Sequence, residues 1–198
     1  MGSHYFDRKP EAAREPREIE ARIRGVSLRL VTDSGVFSKS GVDYGTRLLI
    51  ESLELPETGE FLDVGCGYGP IGLFAARLRP RLNVTMIDIN ERAVELANLN
   101  AARNGLRNAH VLQSDLFERI KGRTFSVIAS NPPIRAGKRV VYRLFEEARE
   151  LLPDGGGLWI VIRKQQGAPS ALEKLRSLYR DVSEMAKSKG YRVYRAVK

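Results

Sequence analysis

Cysteine is almost absent from this 198-residue chain: Cys66 is the only one, accompanied by two histidines and one tryptophan. A single thiol excludes an internal disulfide and a thiolate metal cage, and His4 and His110 do not supply one, so no metal site is expected. No apolar run approaches the roughly 18 residues of a membrane span, and the opening MGSHYFDRKP lacks the charged-then-apolar layout of a signal peptide. These absences point to a cytoplasmic protein with no membrane partner. Internal repeats and low-complexity tracts are also missing, and the length suits one domain with a short extension. Acidic residues are in the minority, with 24 Asp and Glu against 33 Lys and Arg, a net charge of +9. An excess of that size favours a polyanionic partner, because neutralised phosphates release counterions. A merely basic, thermostable surface is the plainer explanation.

What is present is patterned. Apolar residues make up 42% and charged residues 29%, the composition of a globular protein. Residues 1–20 carry Pro10, Pro16 and dense charge without a periodic apolar face and read as a mobile arm, with Met1 to Ser3 a candidate cloning remnant. The remainder, 21–198, reads as one domain. Within it, 21–57 holds one or two short strands and a helix from about Asp43, with Leu48, Leu49 and Leu53 on its buried side. From 58 to 198, short apolar strands alternate with amphipathic helices, and the chain closes on a hairpin about Gly190. Alternation of this kind predicts an α/β, Rossmann-like fold: a mostly parallel seven-stranded sheet with helices on both faces, a C-terminal antiparallel hairpin and a short N-terminal β extension.

In such a sheet, ligands bind beyond the carboxyl ends of the strands, and three strand ends here carry chemistry. The first is LDVGCGYGPIG, Leu62 to Gly72, where Gly65, Gly67 and Gly69 let the backbone bend and a ligand approach. Gly67, Gly69 and Gly72 satisfy the G-x-G-x-x-G pattern of dinucleotide folds, a weak match by itself. Asp63, which opens the run, suits an ammonium group and would repel a pyrophosphate. The second strand end, MIDIN, presents Asp88, which can accept both hydroxyls of a ribose. At the third, VLQSDLF, Asp115 can accept from the exocyclic amine of adenine. Ser114 lies in the same turn, and Leu116 and Ile89 pack near the ring. Taken singly, each acid could be a helix N-cap or a solvated strand end.

Asp63 with the three glycines, then Asp88, Asp115 and NPPI, in order and at these spacings, resembles the class I S-adenosylmethionine-dependent methyltransferases. The likeness implies that cofactor, and gives Cys66 a structural place in the loop without catalysis. It also gives a role to NPPIRAGK, Asn131 to Lys138, which standing alone could be a rigid turn. The Asn131 side-chain oxygen and the Pro132 carbonyl would take the two hydrogens of an amine, localise its lone pair and aim it at the methyl group. Pro133 would stiffen them and Ile134 would contact the substrate. Family members often carry Tyr or Phe where Ile134 stands, so Phe37 is a further candidate to contact the base.

The longer strings NPPIRAGK, GVFSKSGVDYGTRLLIESL and VIRKQQGAPSALEKL resemble small-domain methyltransferases related to the guanine-N2 methyltransferases of small-subunit ribosomal RNA, in their stand-alone single-domain form. The resemblance implies methylation of the exocyclic amine of a guanine in ribosomal RNA or the small ribosomal subunit. Arg135, Lys138, Arg139, Arg163 and Lys164 would meet phosphates, and Gly45 and Thr46 would cover the methionine end of the cofactor. The alternatives are a methyltransferase for a glutamine side-chain amide or an adenine amine, a non-catalytic RNA-binding assembly factor and a nicotinamide dehydrogenase. The oligomeric state stays open, with a monomer favoured.

Overall fold

The computed structural model describes residues 13–36 and 41–198. In chain order the elements are β1 (Arg17–Ile23), β2 (Val26–Thr32), α1 (Tyr44–Ser52), β3 (Gly59–Val64), α2 (Pro70–Leu78), β4 (Leu82–Asp88), α3 (Glu91–Arg103), β5 (Ala109–Gln113), β6 (Val127–Ser130), α4 (Lys138–Leu151), β7 (Gly157–Arg163), α5 (Ala168–Leu178), β8 (Asp181–Ser188) and β9 (Tyr191–Val197). Seven strands form one sheet in the order β5-β4-β3-β6-β7-β9-β8. The first five in that order run parallel, and β9 enters antiparallel between β7 and β8. This is the mostly parallel sheet with a C-terminal antiparallel hairpin that the alternating pattern predicts.

Side chains alternate across the strands and split the core in two. Phe61, Val84, Met86, Trp159 and Val161 pack toward α1, α2 and α3, whereas Leu62, Ile87, Ile128, Leu158 and Ile160 pack toward α4 and α5. Helix starts follow local chemistry. The Asp43 carboxylate caps α1 by accepting from the backbone of Gly45 (2.9 Å) and Thr46 (3.3 Å), and the Asn90 side chain does the same for α3 at Arg92 and Ala93. The last two strands turn through Lys189 and Gly190, both at positive φ, the conformation of a two-residue hairpin turn.

The strands β1 and β2 form a separate hairpin beside α3. Its edge is closed by two asparagines one helical turn apart. Asn100 accepts from the Val31 backbone N–H (2.7 Å) and donates to the Val31 carbonyl (2.9 Å); Asn104 repeats this pair at Arg29 (3.1 and 2.8 Å). These amides pair the exposed side of β2 as a neighbouring strand would. Because β1 begins at Arg17, the arm expected over 1–20 is corrected for its last four residues. Arg14 and Glu15 are also tied down, by Glu95 and Asp33 respectively. Residues 1–12 lie outside the described residues.

Candidate active site

At the carboxyl edge of the parallel strands lies a cleft of about 510 Å³, within the usual range for small-molecule sites. Its floor is the glycine loop. Backbone N–H groups of Gly65 (2.8 Å) and Cys66 (3.0 Å) both donate to the Ile87 carbonyl, turning the chain sharply after β3. Gly65 sits at φ +70° with open space where a Cβ would project, so its backbone is bare to a ligand. Gly72 serves packing instead: a Cβ there would stand 2.3 Å from Met86 Sδ, so only glycine lets α2 lie this close to β4. Gly69 is likewise buried, under Leu73 and Ala97, and does not reach the cleft wall.

Asp88 grips the loop from the next strand. One carboxylate oxygen accepts from Gly67 N–H (2.8 Å) and the other from Asn90 N–H (2.9 Å), which leaves lone pairs on both for ribose hydroxyls. Burial pushes its carboxyl up to about 6. Ile89, Ser114, Asp115 and Leu116 continue this wall. Asp115 also faces Arg143 at 3.7 Å. Cys66 lines the cleft, but burial and the Asp88 and Asp63 charges push its thiol well up, so it stays protonated and unreactive.

Asp63, expected to take up an ammonium group, stands behind the loop and not on the cleft wall. It is completely buried; Oδ2 accepts from Gly72 N–H (2.9 Å), while Oδ1 has no hydrogen-bond partner among the described residues. Strand parity is the cause, since Asp63 shares the face of Phe61 and therefore points under α2. Burial first, and then the Asp88 charge, push its carboxyl up to about 7.

On the opposite side of the floor stands Asn131, just after β6. Its Nδ2 donates to Thr46 Oγ1 (3.0 Å) and lies 3.5 Å from Asp43 Oδ2. A carboxylate can only accept, so the amide must turn its NH₂ toward α1. Oδ1 is then the end with no donor among the described residues. Pro132 offers a carbonyl that takes one N–H, from Ile134 at 2.8 Å, and keeps a second lone pair. Pro133, Ile134 and Arg135 complete the rim.

Other expected residues fall away from the cleft. Gly45 is buried beneath the Tyr191 ring, although its neighbour Thr46 lines the wall. Lys138 stands over the Tyr142 ring (5.2 Å) and Arg163 over the Tyr191 ring (5.7 Å); they, Arg139 and Lys164 are exposed outside the wall. Phe37 lies outside the described residues. Wall residues that the sequence pattern does not single out as site residues include Asp43, Tyr68 and Tyr191. Asp43 was read only as the start of a helix, Tyr68 only as a loop residue, and Tyr191 only as part of the hairpin. Tyr68 is buried, its hydroxyl has no partner among the described residues, and its backbone carbonyl accepts from Asn100 Nδ2 (2.9 Å).

Residues 27–195 match the family described as "Methyltransferase small domain". The chain belongs to that family. It is 51% identical over 200 residues to the Bacillus subtilis protein named "Uncharacterized protein YbxB", covering the whole of both. It is 32% identical over 192 residues to ribosomal RNA small subunit methyltransferase C of Salmonella typhi, covering 95% of this chain and 55% of that one. Among solved structures, the T. thermophilus 16S rRNA N2 G1207 methyltransferase (RsmC), in complex with AdoMet and guanosine, superposes with a TM-score of 0.83 at 27% identity. The match covers 96% of this chain and 52% of the other. The chain thus spans about half the length of these ribosomal RNA relatives. It is a methyltransferase, and S-adenosylmethionine is its cofactor. The site fits that ligand: Gly65 leaves a bare cradle, and the orphaned hydroxyl of Tyr68 is a polar atom on the same wall. Among the described residues no helix is long and apolar enough to cross a membrane, and no group of three His, Cys, Asp or Glu side chains could hold a metal ion.

Proposed function

We propose that this methyltransferase acts on the exocyclic N2 amine of a guanine in small-subunit ribosomal RNA, in the cytoplasm. The observation that carries the reading is the enforced orientation of Asn131. With Nδ2 committed to Thr46 and Asp43, Oδ1 is left as an acceptor on a cleft wall that Pro132 also lines.

Bound S-adenosylmethionine supplies an electrophilic methyl group on a sulfonium, open to in-line displacement. The chain's own residues hold and prepare the nucleophile. An amine on an aromatic ring delocalises its lone pair into that ring. Oδ1 of Asn131 and the Pro132 carbonyl each accept one amine hydrogen, which turns the lone pair out of the plane. Positive charge then develops on nitrogen, and the same acceptors stabilise it in a site held rigid by Pro133 and the 3₁₀ turn at Ile134–Ala136. They hold the surplus proton until solvent takes it. Asp88 and the 114–116 turn serve the adenosine side of the cofactor, while Arg135 and the exposed Lys138, Arg139, Arg163 and Lys164 meet RNA phosphates. The net charge of +9 favours such a polyanion over a protein amide.

The test is transfer of labelled methyl from S-adenosylmethionine to small-subunit RNA, naked and as assembled subunit, with DNA and a glutamine-bearing protein as comparison substrates. Labelled N2-methylguanine is the expected product. Asn131→Ala should lower turnover by roughly 10²–10³-fold, as the loss of a transition-state hydrogen bond does, with cofactor affinity little changed. Label appearing only in protein or DNA would overturn the assignment.

A further inference from the structure

Recognition of a purine calls for a flat π surface, and Ile134 supplies only an apolar edge. Two aromatic side chains belong to the cleft wall among the described residues, Tyr68 and Tyr191. Tyr68 is 2% exposed and has no open ring face to offer, whereas Tyr191 is partly open. We infer that Tyr191, the first residue of β9, is the surface on which the target base stacks, an inference that rests on the function proposed above.

Three observations support this role. First, topology puts Tyr191 at the right edge. Because β9 runs antiparallel, it begins where the parallel strands end, and Tyr191 pairs with Arg163 at the end of β7. Asp88 and Asp115, at the ends of β4 and after β5, lie on the other side of β3 and β6, so adenosine and target base each have half of the cleft. Second, Tyr191 is mechanically linked to the amine-orienting group. A Cβ on Gly45 would meet Tyr191 Cε1 at 2.6 Å, so the ring rests directly on that glycine. The next residue, Thr46, accepts from Asn131 at 3.0 Å. Third, the ring is braced as a platform. The Arg163 guanidinium carbon lies 5.7 Å from its centroid and the Tyr44 ring 5.9 Å from it. Tyr44 in turn bonds Ser188 (2.7 Å) and lies under Lys189 (4.6 Å). The Tyr191 hydroxyl has no hydrogen bond among the described residues, so its ring and not its polar tip accounts for the placement.

The inference distinguishes stacking from packing. Tyr191→Phe keeps the π face, Tyr191→Leu keeps an apolar filler without it, and Arg163→Ala removes a brace from an exposed position. Binding of guanosine 5′-monophosphate to the S-adenosylhomocysteine-loaded protein, followed by calorimetry, is measured beside methyl transfer to small-subunit RNA. The Phe variant should match the parent. The Leu variant should bind the nucleotide about tenfold more weakly and show a similar rise in KM for RNA. Arg163→Ala should lose about threefold, and cofactor affinity should hold in all three. A Leu variant that binds nucleotide and RNA like the parent overturns the role of Tyr191 and leaves the proposed function standing. If Leu does not fold, an unchanged affinity in Arg163→Ala counts against the platform. A parent protein that binds S-adenosylhomocysteine but neither the nucleotide nor any RNA overturns the function itself, and the stacking role with it.

Discussion

Asp63→Asn should make the cofactor-free protein more stable at pH 8 and no more stable at pH 5. The carboxylate is wholly buried, has one hydrogen bond and one unpartnered oxygen, and titrates at about 7 instead of the ordinary 3.8. The folded protein therefore holds this proton more tightly than the unfolded chain does. The contribution to stability is fully present below about 4 and is lost as pH rises through about 7. At ~1.4 kcal/mol per tenfold, ionisation in place costs at most about 4 kcal/mol. Asparagine keeps an acceptor for Gly72 N–H and removes the charge, but leaves an unpaired NH₂ at ~1–3 kcal/mol. The net gain at pH 8 is roughly 1–3 kcal/mol, or about 3–10 °C in Tm for a chain of this size. At pH 5 the folded carboxyl is still neutral but the unfolded one has ionised, so about 1.6 kcal/mol of the cost is already present; the unpaired NH₂ offsets it, so the two proteins should melt at similar temperatures. Thermal unfolding at the two pH values reads this directly; an equal loss at both would refute the argument.

Three further outcomes follow from named contacts. Thr46→Val removes the neutral acceptor that turns the Asn131 amide; kcat should fall about tenfold with cofactor affinity unchanged, as steady-state kinetics and calorimetry would show. Asn100→Ala deletes three buried hydrogen bonds, two to Val31 and one to Tyr68. Chemical denaturation should report a loss of roughly 2–4 kcal/mol, with faster hydrogen exchange in β2 and the glycine loop. Arg135→Ala, on the cleft rim, should weaken RNA binding and reduce the slope of log K against log salt by about one, the signature of one phosphate contact.

Much of this was legible in the sequence because it is local. Period-2 and period-3.6 apolar patterns gave the strands and helices, Asp43 and Asn90 marked two helix starts, and Gly190 marked the hairpin. The glycine loop and the acids after β4 and β5 follow from strand-end chemistry, and the structure brings Gly65, Gly67, Asp88 and Asp115 to the cleft but not Asp63 or Gly69. Asp63 failed on a question that parity could have answered: it lies two residues from Phe61, an obvious core residue, so both point the same way. The small Gly72 across from it was a second signal, since a helix that approaches a strand closely leaves no path to solvent. The edge-closing Asn100 and Asn104 carried a weaker signal, two amides on one helix face where apolar or charged residues would be more usual. Tyr191 had none. A hairpin pattern does not say that its second strand inserts beside β7, and without that topology nothing brings residue 191 next to residue 45.

The segment ahead of the parallel core explains why the site works as a unit. One oxygen of Asp43 starts α1 by binding the N–H groups of Gly45 and Thr46, and the other lies near the Asn131 amide. The carboxylate that begins the helix therefore also forbids the wrong orientation of the amide. Thr46 is held by that cap and accepts from Asn131, and Gly45 between them makes room for Tyr191. Four consecutive residues, 43 to 46, thereby connect the amine-orienting group after β6 to the aromatic ring at the start of β9. Tight capping of α1 and correct presentation of Asn131 are then one structural event. A substitution that loosens the cap should impair methyl transfer before it measurably destabilises the fold, because the helix keeps its buried Leu49, Ile50 and Leu53 while the amide loses the partners that give it a single orientation.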